Sequence, residues 1–244
     1  MANKSPKLFL RQSCVADLTK DWQPGTFVEM GAGIGLMTQM FLSKGFSGGC
    51  YDISPESRDI LKDRLNNFGD RIKIISDIAF TPDELSDYLL AFEVLEHIDD
   101  DLQALQTWSK LIKTNGRIIV SVPAHKIKFS KIDELVGHVR RYERQELFAL
   151  LSAAGFQNIK IINYGYPLTE LSRYLSILIL KREQLDGSSS AEERSLKSSY
   201  SRPKIISSLL SKIPGAIFMP FKYVQRIFYS YDLGDGLIAI ADKI

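Results

Sequence analysis

The stretch Phe27-Val28-Glu29-Met30-Gly31-Ala32-Gly33-Ile34-Gly35 joins a short apolar run to three glycines at every second position. The run that begins at Thr26 suits a buried strand, and the glycines allow the backbone to turn sharply. From Ile34 to Leu42 the apolar residues recur at threes and fours, which is the spacing of a helix. The stretch therefore predicts a strand, a glycine turn and a helix, with main-chain N–H groups of the turn facing a polar ligand.

An acidic residue follows this turn at an informative distance. The run from Ser47 to Tyr51 predicts a second strand and ends at Asp52, the offset at which an acid meets the ribose hydroxyls of a nucleoside cofactor. A dinucleotide fingerprint would place its third glycine at position 36, where this chain has Leu36. The tighter glycine spacing, with Glu29 two residues upstream, favours a cofactor that carries an amino acid and no phosphate.

The pattern from Glu29 to Gly35 resembles the first motif of class I S-adenosylmethionine-dependent methyltransferases. Two later stretches, Ser76-Asp77-Ile78 and Phe92-Glu93-Val94-Leu95-Glu96-His97, resemble further motifs of that family at matching spacings. The resemblance covers roughly Thr26 to Phe156 and implies S-adenosyl-L-methionine as the cofactor. The cofactor-binding residues that it implies are Glu29, Gly31, Ala32, Gly33, Gly35, Asp52, Ile53, Asp77, Ile78, Phe92, Glu93, Val94 and His97.

Strand and helix patterns alternate along the chain, which predicts an α/β fold with a parallel sheet covered by helices on both faces. Together with the resemblance, this indicates a doubly wound, mostly parallel seven-stranded sheet of the Rossmann-like methyltransferase type, whose last strand is antiparallel. One helix is expected from about Asp100 to Ile112, ended by Asn115-Gly116. Residues 1–166 plus 233–244 form the predicted cofactor-binding domain, and residues 167–232 form a helical insertion before the last strand.

The insertion contains three helical patterns, at 168–181, 204–213 and 219–231, and a polar loop at 188–193 that is expected to be flexible. It could enlarge the core, cover the cofactor mouth as a lid that binds the acceptor, or contact a lipid surface or a partner. The lid hypothesis predicts that Tyr166, Phe221 and Phe228 line or cover the acceptor pocket.

All three histidines, His97, His125 and His138, follow the fourth or the fifth predicted strand, so their loops face one crevice. The segment Gly137-His138-Val139-Arg140-Arg141-Tyr142 also resembles a subset of small-molecule methyltransferases. His138 is the first candidate for a catalytic base and His97 the second, with Arg141 or Tyr142 positioning the acceptor. The alternative that Arg140 and Arg141 are solvated surface charges stays open.

Composition limits the possible partners and surroundings. A net charge of +2 indicates no strong attraction to nucleic acid. Two cysteines, one of them in a predicted buried strand, favour a reducing and hence cytoplasmic setting. No apolar run reaches the length of a transmembrane segment. Asp99, Asp100 and Asp101 near His97 are explained by the dipole of the following helix, so no metal site is expected.

The resemblance, taken with these patterns, implies a methyltransferase that acts on a small, partly apolar molecule, most simply on oxygen. A lipid-like acceptor, peripheral membrane contact and the oligomeric state are left open. The sequence Glu93-Val94-Leu95-Glu96 replaces the Pro-Pro-aromatic signature typical of enzymes that methylate nucleobase amino groups, which disfavours that class. The alternatives are a catalytically silent cofactor-binding module and, less favoured because of Leu36, a nicotinamide-dependent oxidoreductase.

Overall fold

The computed structural model describes residues 6–76, 85–171, 173–174 and 218–244. Strands and helices alternate through most of this chain, as the sequence predicts. In chain order the elements are α1 (Pro6–Leu18), β1 (Thr26–Met30), α2 (Leu36–Ser43), β2 (Ser47–Tyr51), α3 (Pro55–Leu65), β3 (Ile72–Ile75), β4 (Ser86–Phe92), α4 (Asp101–Ser109), β5 (Ile112–Pro123), α5 (Lys131–Leu135), α6 (Arg144–Ala153), β6 (Phe156–Tyr164), α7 (Met219–Ile227) and β7 (Gly236–Lys243).

The seven strands form one sheet in the order β3-β2-β1-β4-β5-β7-β6. Neighbouring strands are parallel except for β7, which is antiparallel to both β5 and β6. The predicted doubly wound fold with an antiparallel last strand is therefore confirmed. Gly236 pairs with Pro123 on one side and with Tyr164 on the other. The chain thus leaves β6 and re-enters β7 at the edge where the parallel strands have their carboxyl ends.

Alternate residues of the central strands belong to two hydrophobic clusters, one on each face of the sheet. Phe27 and Leu90 belong to the cluster that includes residues of α1, α2 and α3. Val28 and Leu89 belong to the cluster beneath α4 and α6. This two-sided burial explains why the strands read as apolar runs and places every functional loop at a sheet edge.

Among the elements that differ from the sequence prediction are α1 and α4. Helix α1 was not predicted, because its buried positions Leu10, Ser13 and Cys14 share the helix with charged residues that blur the apolar spacing. Helix α4 ends at Ser109, so the prediction of a helix to Ile112 was wrong. Ile112 is buried and pairs with Ser86 as the first residue of β5, since cross-strand burial outweighs the local helical pattern there.

The described part of the predicted insertion packs on the N-terminal helix. The side-chain amide of Gln225 in α7 donates to the carbonyl oxygen of Leu10 in α1 over 3.2 Å, and its oxygen accepts from the N–H of Gly165 at 3.3 Å. The expected flexible loop at 188–193 and the helical pattern at 204–213 lie outside the described residues. Among the helices of the described ranges, none has the length and apolarity of a membrane span.

Candidate active site

The glycine loop between β1 and α2 has a left-handed backbone at all three glycines, with φ of 65°, 54° and 76° at Gly31, Gly33 and Gly35. A Cβ atom at Gly31 would lie 2.5 Å from Val94, and one at Gly35 would lie 2.6 Å from Leu61. A Cβ atom at Gly33 would meet nothing within 4 Å. The outer glycines therefore allow close packing, whereas Gly33 faces open space where a ligand can approach the main chain.

Asp52, at the end of β2, is hydrogen-bonded to this loop. One of its carboxylate oxygens accepts from the N–H of Gly33 at 2.7 Å, and the other accepts from the N–H of Ser54 at 3.0 Å. The N–H of Ala32 donates to the carbonyl of Tyr51 at 2.9 Å, which holds the same two loops together. Ile53, the next residue, is 80% exposed. The structure thus brings together the predicted cofactor residues of these two loops, whereas Asp77 and Ile78 lie outside the described residues.

Glu29 is buried at the end of β1 and accepts a hydrogen bond of 2.6 Å from the hydroxyl of Thr38. Burial raises the pKa of its carboxyl group to about 8, against the opposing effects of the Thr38 hydrogen bond and the charge of Arg11. The structure therefore places the Glu29 carboxyl group inside the protein, bonded to α2.

Glu93 directly follows β4 in a left-handed conformation, with φ of 58°. Its carboxylate lies 2.8 Å from the ammonium of Lys7 and 3.3 Å from the guanidinium of Arg11. Its oxygens also accept from the hydroxyls of Ser121 at 3.1 Å and Tyr164 at 3.2 Å. Burial alone would raise the pKa of Glu93, but the two cations hold it well below its usual range. Sequence reasoning missed Lys7 and Arg11, although their spacing of four residues puts both on one face of a helix.

The loops after β4 and β5 bring two histidines together. The rings of His97 and His138 pack edge to face with centroids 4.8 Å apart. Nδ1 of His97 lies 2.9 Å from the carbonyl oxygen of Gly137, and Nδ1 of His138 lies 3.0 Å from a carboxylate oxygen of Asp133. Since both partners only accept, each Nδ1 donates its proton, and in the neutral ring Nε2 then carries a free lone pair.

Beside this pair lies Glu96, whose side chain is 0% exposed. Its nearer oxygen is 3.8 Å from Nε2 of His138. Within the described ranges, neither carboxylate oxygen has a hydrogen-bond donor in good geometry. Burial, followed by the negative charge of Glu93, raises the pKa of Glu96 well above its usual value. A buried carboxyl group without a partner is costly and therefore requires an explanation.

Arg141 and Tyr142, predicted to position the acceptor, make their contacts inside the protein. Arg141 donates 2.8 Å hydrogen bonds to Asp133 and to Asp235, which ties the loop after β5 to the start of β7. The hydroxyl of Tyr142 is 2.8 Å from an oxygen of Asp101, and its side chain is buried. The open alternative that Arg141 is a solvated charge is wrong, because its guanidinium is buried in this ion-pair network.

His125, Asp100 and Asp101 make their contacts with residues other than the histidine pair. His125 has Nδ1 3.4 Å from a carboxylate oxygen of Glu143, at the start of α6. Asp100 caps α4 by accepting from the N–H of Gln103, and Asp101 accepts from Arg140. The sequence interpretation of these acids as helix N-terminal residues agrees with these contacts.

A protein-family profile described as "Methyltransferase domain" matches residues 8–161 of the chain. A search of curated protein sequences gave no match. Among solved structures, similarity extends over nearly the whole chain to several proteins at low identity, three of which follow. A protein proposed to be a sarcosine dimethylglycine methyltransferase, from Galdieria sulphuraria, has a TM-score of 0.60 and 14% identity, covering 96% of this chain and 84% of its own.

The second is phosphoethanolamine N-methyltransferase 2 of Haemonchus contortus in complex with S-adenosyl-L-methionine, with a TM-score of 0.58 and 17% identity. The match covers 96% of this chain, which spans about half (52%) of that protein's length. The third is 1,6-didemethyltoxoflavin-N1-methyltransferase of Burkholderia thailandensis with S-adenosylhomocysteine bound, with a TM-score of 0.54 and 16% identity, covering 96% and 76% of the two chains. At these low sequence identities, the similarities to solved structures show the fold alone.

Proposed function

This chain is a member of the methyltransferase domain family, and we propose that it methylates an oxygen atom of a small, partly apolar molecule. The chain is an S-adenosylmethionine-dependent methyltransferase. The observation that carries the proposal is the pair of histidines with free Nε2 lone pairs, beside the loop that follows β4.

The described residues fit the cofactor at the glycine loop. The open space over Gly33 allows a ligand against the main chain, and the carboxylate of Asp52 lies next to it with lone pairs left for ribose hydroxyls. Exposed Ile53 offers an apolar surface for the adenine. We assign the amino-acid end of the cofactor to the turn after β4, which comprises Phe92, Glu93, Val94 and His97. Asp77 and Ile78 remain expectations from the resemblance.

The chemistry required of the chain is modest. When bound, S-adenosylmethionine supplies a methyl group on a positively charged sulfur, which leaves as a thioether with the electron pair of the broken C–S bond. The protein must align the acceptor, exclude water and accommodate the hydroxyl proton that is lost when the C–O bond forms. In the neutral ring, Nε2 of His138 carries a lone pair that can accept this proton. Asp133 holds the ring in the required tautomer.

Arg141 and Tyr142 act through other residues in this proposal. Arg141 holds Asp133, and Asp133 orients His138, so Arg141 is a positioning residue. Tyr142 fixes Asp101 at the start of α4 behind the loop that contains His97. The acceptor wall is assigned to Tyr166 and Phe228, whose rings pack edge to face with centroids 4.7 Å apart. Phe221, which packs partly buried against the core cluster, is assigned to the same wall.

The proposed cytoplasmic setting is supported by the cysteines, since Cys14 and Cys50 are both free and buried. A small, apolar or lipid-like acceptor is supported by the aromatic wall and by the near-neutral net charge. We also propose peripheral membrane contact through the insertion, because α7 has an amphipathic pattern.

Two measurements test this function. Calorimetry with S-adenosylmethionine, S-adenosylhomocysteine and NADH in parallel should give binding of both S-adenosyl compounds and none of NADH. Transfer of a ¹³C-labelled methyl group to a panel of small phenols, hydroxy acids and amines should then label a hydroxyl, identified by NMR. Labelling of amines alone would overturn O-methylation. Cofactor binding without any transfer would favour the silent-module alternative.

A further inference from the structure

We propose that Glu96, His97 and His138 bind one divalent transition-metal ion. One ligand atom of each side chain lies within 4.8 Å of those of the other two. The carboxylate of Glu96 and Nε2 of His138 are already 3.8 Å apart. The three residues come from two loops at the same sheet edge, so the site is formed by the fold.

The first support is the state of Glu96. Burial of a carboxyl group costs free energy unless a hydrogen-bond donor or a cation satisfies its oxygens. Among the residues that the structure describes, none supplies such a donor. The basic side chains of Lys7 and Arg11 make their close contacts with Glu93 instead. A bound cation would satisfy the oxygens of Glu96 and remove the cost of burying its charge.

The second support is the orientation of both histidines. Each donates its Nδ1 proton, His97 to a main-chain carbonyl and His138 to the carboxylate of Asp133. In the neutral rings this leaves both Nε2 atoms unprotonated, and that of His138 lies 3.8 Å from a carboxylate oxygen of Glu96. Histidines that ligate metals are held in this way, because a donor bond from the second nitrogen sets the tautomer and the direction of the ring. Asp133 is itself held by Arg141 and Ser130, which makes the orientation rigid.

The donor set indicates the class of ion. Two imidazoles and one carboxylate suit Zn²⁺ or Mn²⁺, and three protein ligands leave at least one coordination position open. Bonds of about 2.0–2.2 Å put ligand atoms roughly 3–3.5 Å apart, so the side chains would approach one another by about 1 Å on binding. The expectation from the sequence that no metal binds rested on Asp99–Asp101, which make helix-capping and side-chain contacts and are not the ligands proposed here.

The catalytic role of this ion rests on the proposed O-methylation, whereas the binding of the ion does not. An acceptor hydroxyl at the open position would be held in place and its pKa lowered by the cation, so that its proton would pass to bulk water as the acceptor binds, before the methyl transfer from which water is excluded. In the metal-loaded protein His138 is therefore a ligand, and the role of a base falls to it only when the metal is absent.

The test is metal binding itself. After treatment with a chelator and its removal, the full-length protein is titrated by calorimetry with Zn²⁺ and with Mn²⁺, and bound metal is counted after dialysis. We expect one equivalent in the wild type, and a loss of affinity of at least 100-fold in Glu96→Gln, His97→Ala and His138→Ala. His125→Ala is the matched control, because it removes a histidine of the next loop outside the cluster, and it should bind as the wild type does.

Co²⁺ provides a second measurement, since its visible absorption reports ligand number and geometry in the wild-type protein without any mutation. Absence of a stoichiometric ion in the wild type would overturn the inference, as would a loss in His125→Ala equal to that in His97→Ala. S-adenosylhomocysteine binding is measured on the same samples. Metal failure with intact S-adenosylhomocysteine binding refutes only the metal site, whereas loss of S-adenosylhomocysteine binding by the wild type refutes the proposed function.

Discussion

The main-chain N–H of Gly33 donates a 2.7 Å hydrogen bond to the carboxylate of Asp52. This bond joins the glycine loop after β1 to the loop after β2, so Asp52 shapes the turn at the place where we propose that the ribose binds. Each carboxylate oxygen retains a further lone pair for a ligand hydroxyl. In this proposal the geometry of the loop and the affinity for the cofactor are linked.

Substitutions in this pair should weaken cofactor binding. Asp52→Ala is expected to weaken S-adenosylhomocysteine binding by roughly 1–3 kcal/mol, the effect of losing hydrogen bonds to a charged group. Gly33→Val should abolish binding, because its side chain would fill the open space over the loop. Calorimetry measures both. Gly69 has the same φ of 54° and equally open surroundings, so Gly69→Val controls for backbone strain and should bind normally.

Removal of His138 should affect turnover and leave cofactor affinity nearly unchanged. His138→Ala is expected to lower kcat about 100-fold or more once an acceptor is known. The comparison is with His125→Ala, which should keep wild-type kcat. Near-normal turnover in His138→Ala would transfer the role to His97 or remove the need for proton transfer by the chain.

The contacts of α1 with Glu93 should contribute to stability. Arg11→Met removes one of two cations from a buried carboxylate and is expected to cost about 3–5 kcal/mol of unfolding free energy. Urea denaturation measures this change. Lys20→Met provides the control, since Lys20 and Asp21 form an exposed pair and its loss should change stability by less than about 1 kcal/mol. Equal effects of the two substitutions would contradict the structural role of this contact.

Glu29 should make stability fall as the pH rises. Its folded-state pKa of about 8 lies above the ordinary value of 4.5, so the folded protein binds this proton more tightly than the unfolded chain does. The resulting stabilisation is fully present below pH 4.5 and is lost progressively up to about pH 8. Glu29→Gln keeps the shape without the titration. Unfolding free energies measured from pH 5 to pH 8 should fall more steeply for the wild type than for this variant.

The lid hypothesis predicts that a change in the acceptor wall weakens acceptor use and leaves cofactor binding unchanged. Phe228→Ala removes a ring that packs on Tyr166 and should raise the KM for the acceptor while S-adenosylhomocysteine affinity stays the same. Tyr223→Ala changes an exposed aromatic residue of α7 and should alter neither. If Phe228→Ala weakens cofactor binding as much as acceptor use, the ring does not belong to an acceptor wall.

Several features of the site could be inferred from local sequence. The glycines at 31, 33 and 35 and the strand end at Asp52 are short-range signals, because turn geometry and strand burial depend on neighbouring residues. Strand order places these signals together, since parallel strands of an α/β sheet end at one edge. The same rule led to the prediction that the loops of all three histidines lie together, and the rings of His97 and His138 do pack on each other, whereas His125 contacts Glu143.

Other contacts depended on the folded chain. Lys7 and Glu93 are 86 residues apart, and no local pattern indicates that α1 would bring a cation to the turn after β4. The carboxylate of Glu96, which has no hydrogen-bond partner among the described residues, and the chain of bonds from Arg141 through Asp133 to His138 likewise cannot be read from the sequence, where these residues resemble ordinary loop charges. Burial and pairing of charged groups are set by long-range packing, and packing alone determined which of them became buried, paired or left free to bind a ligand.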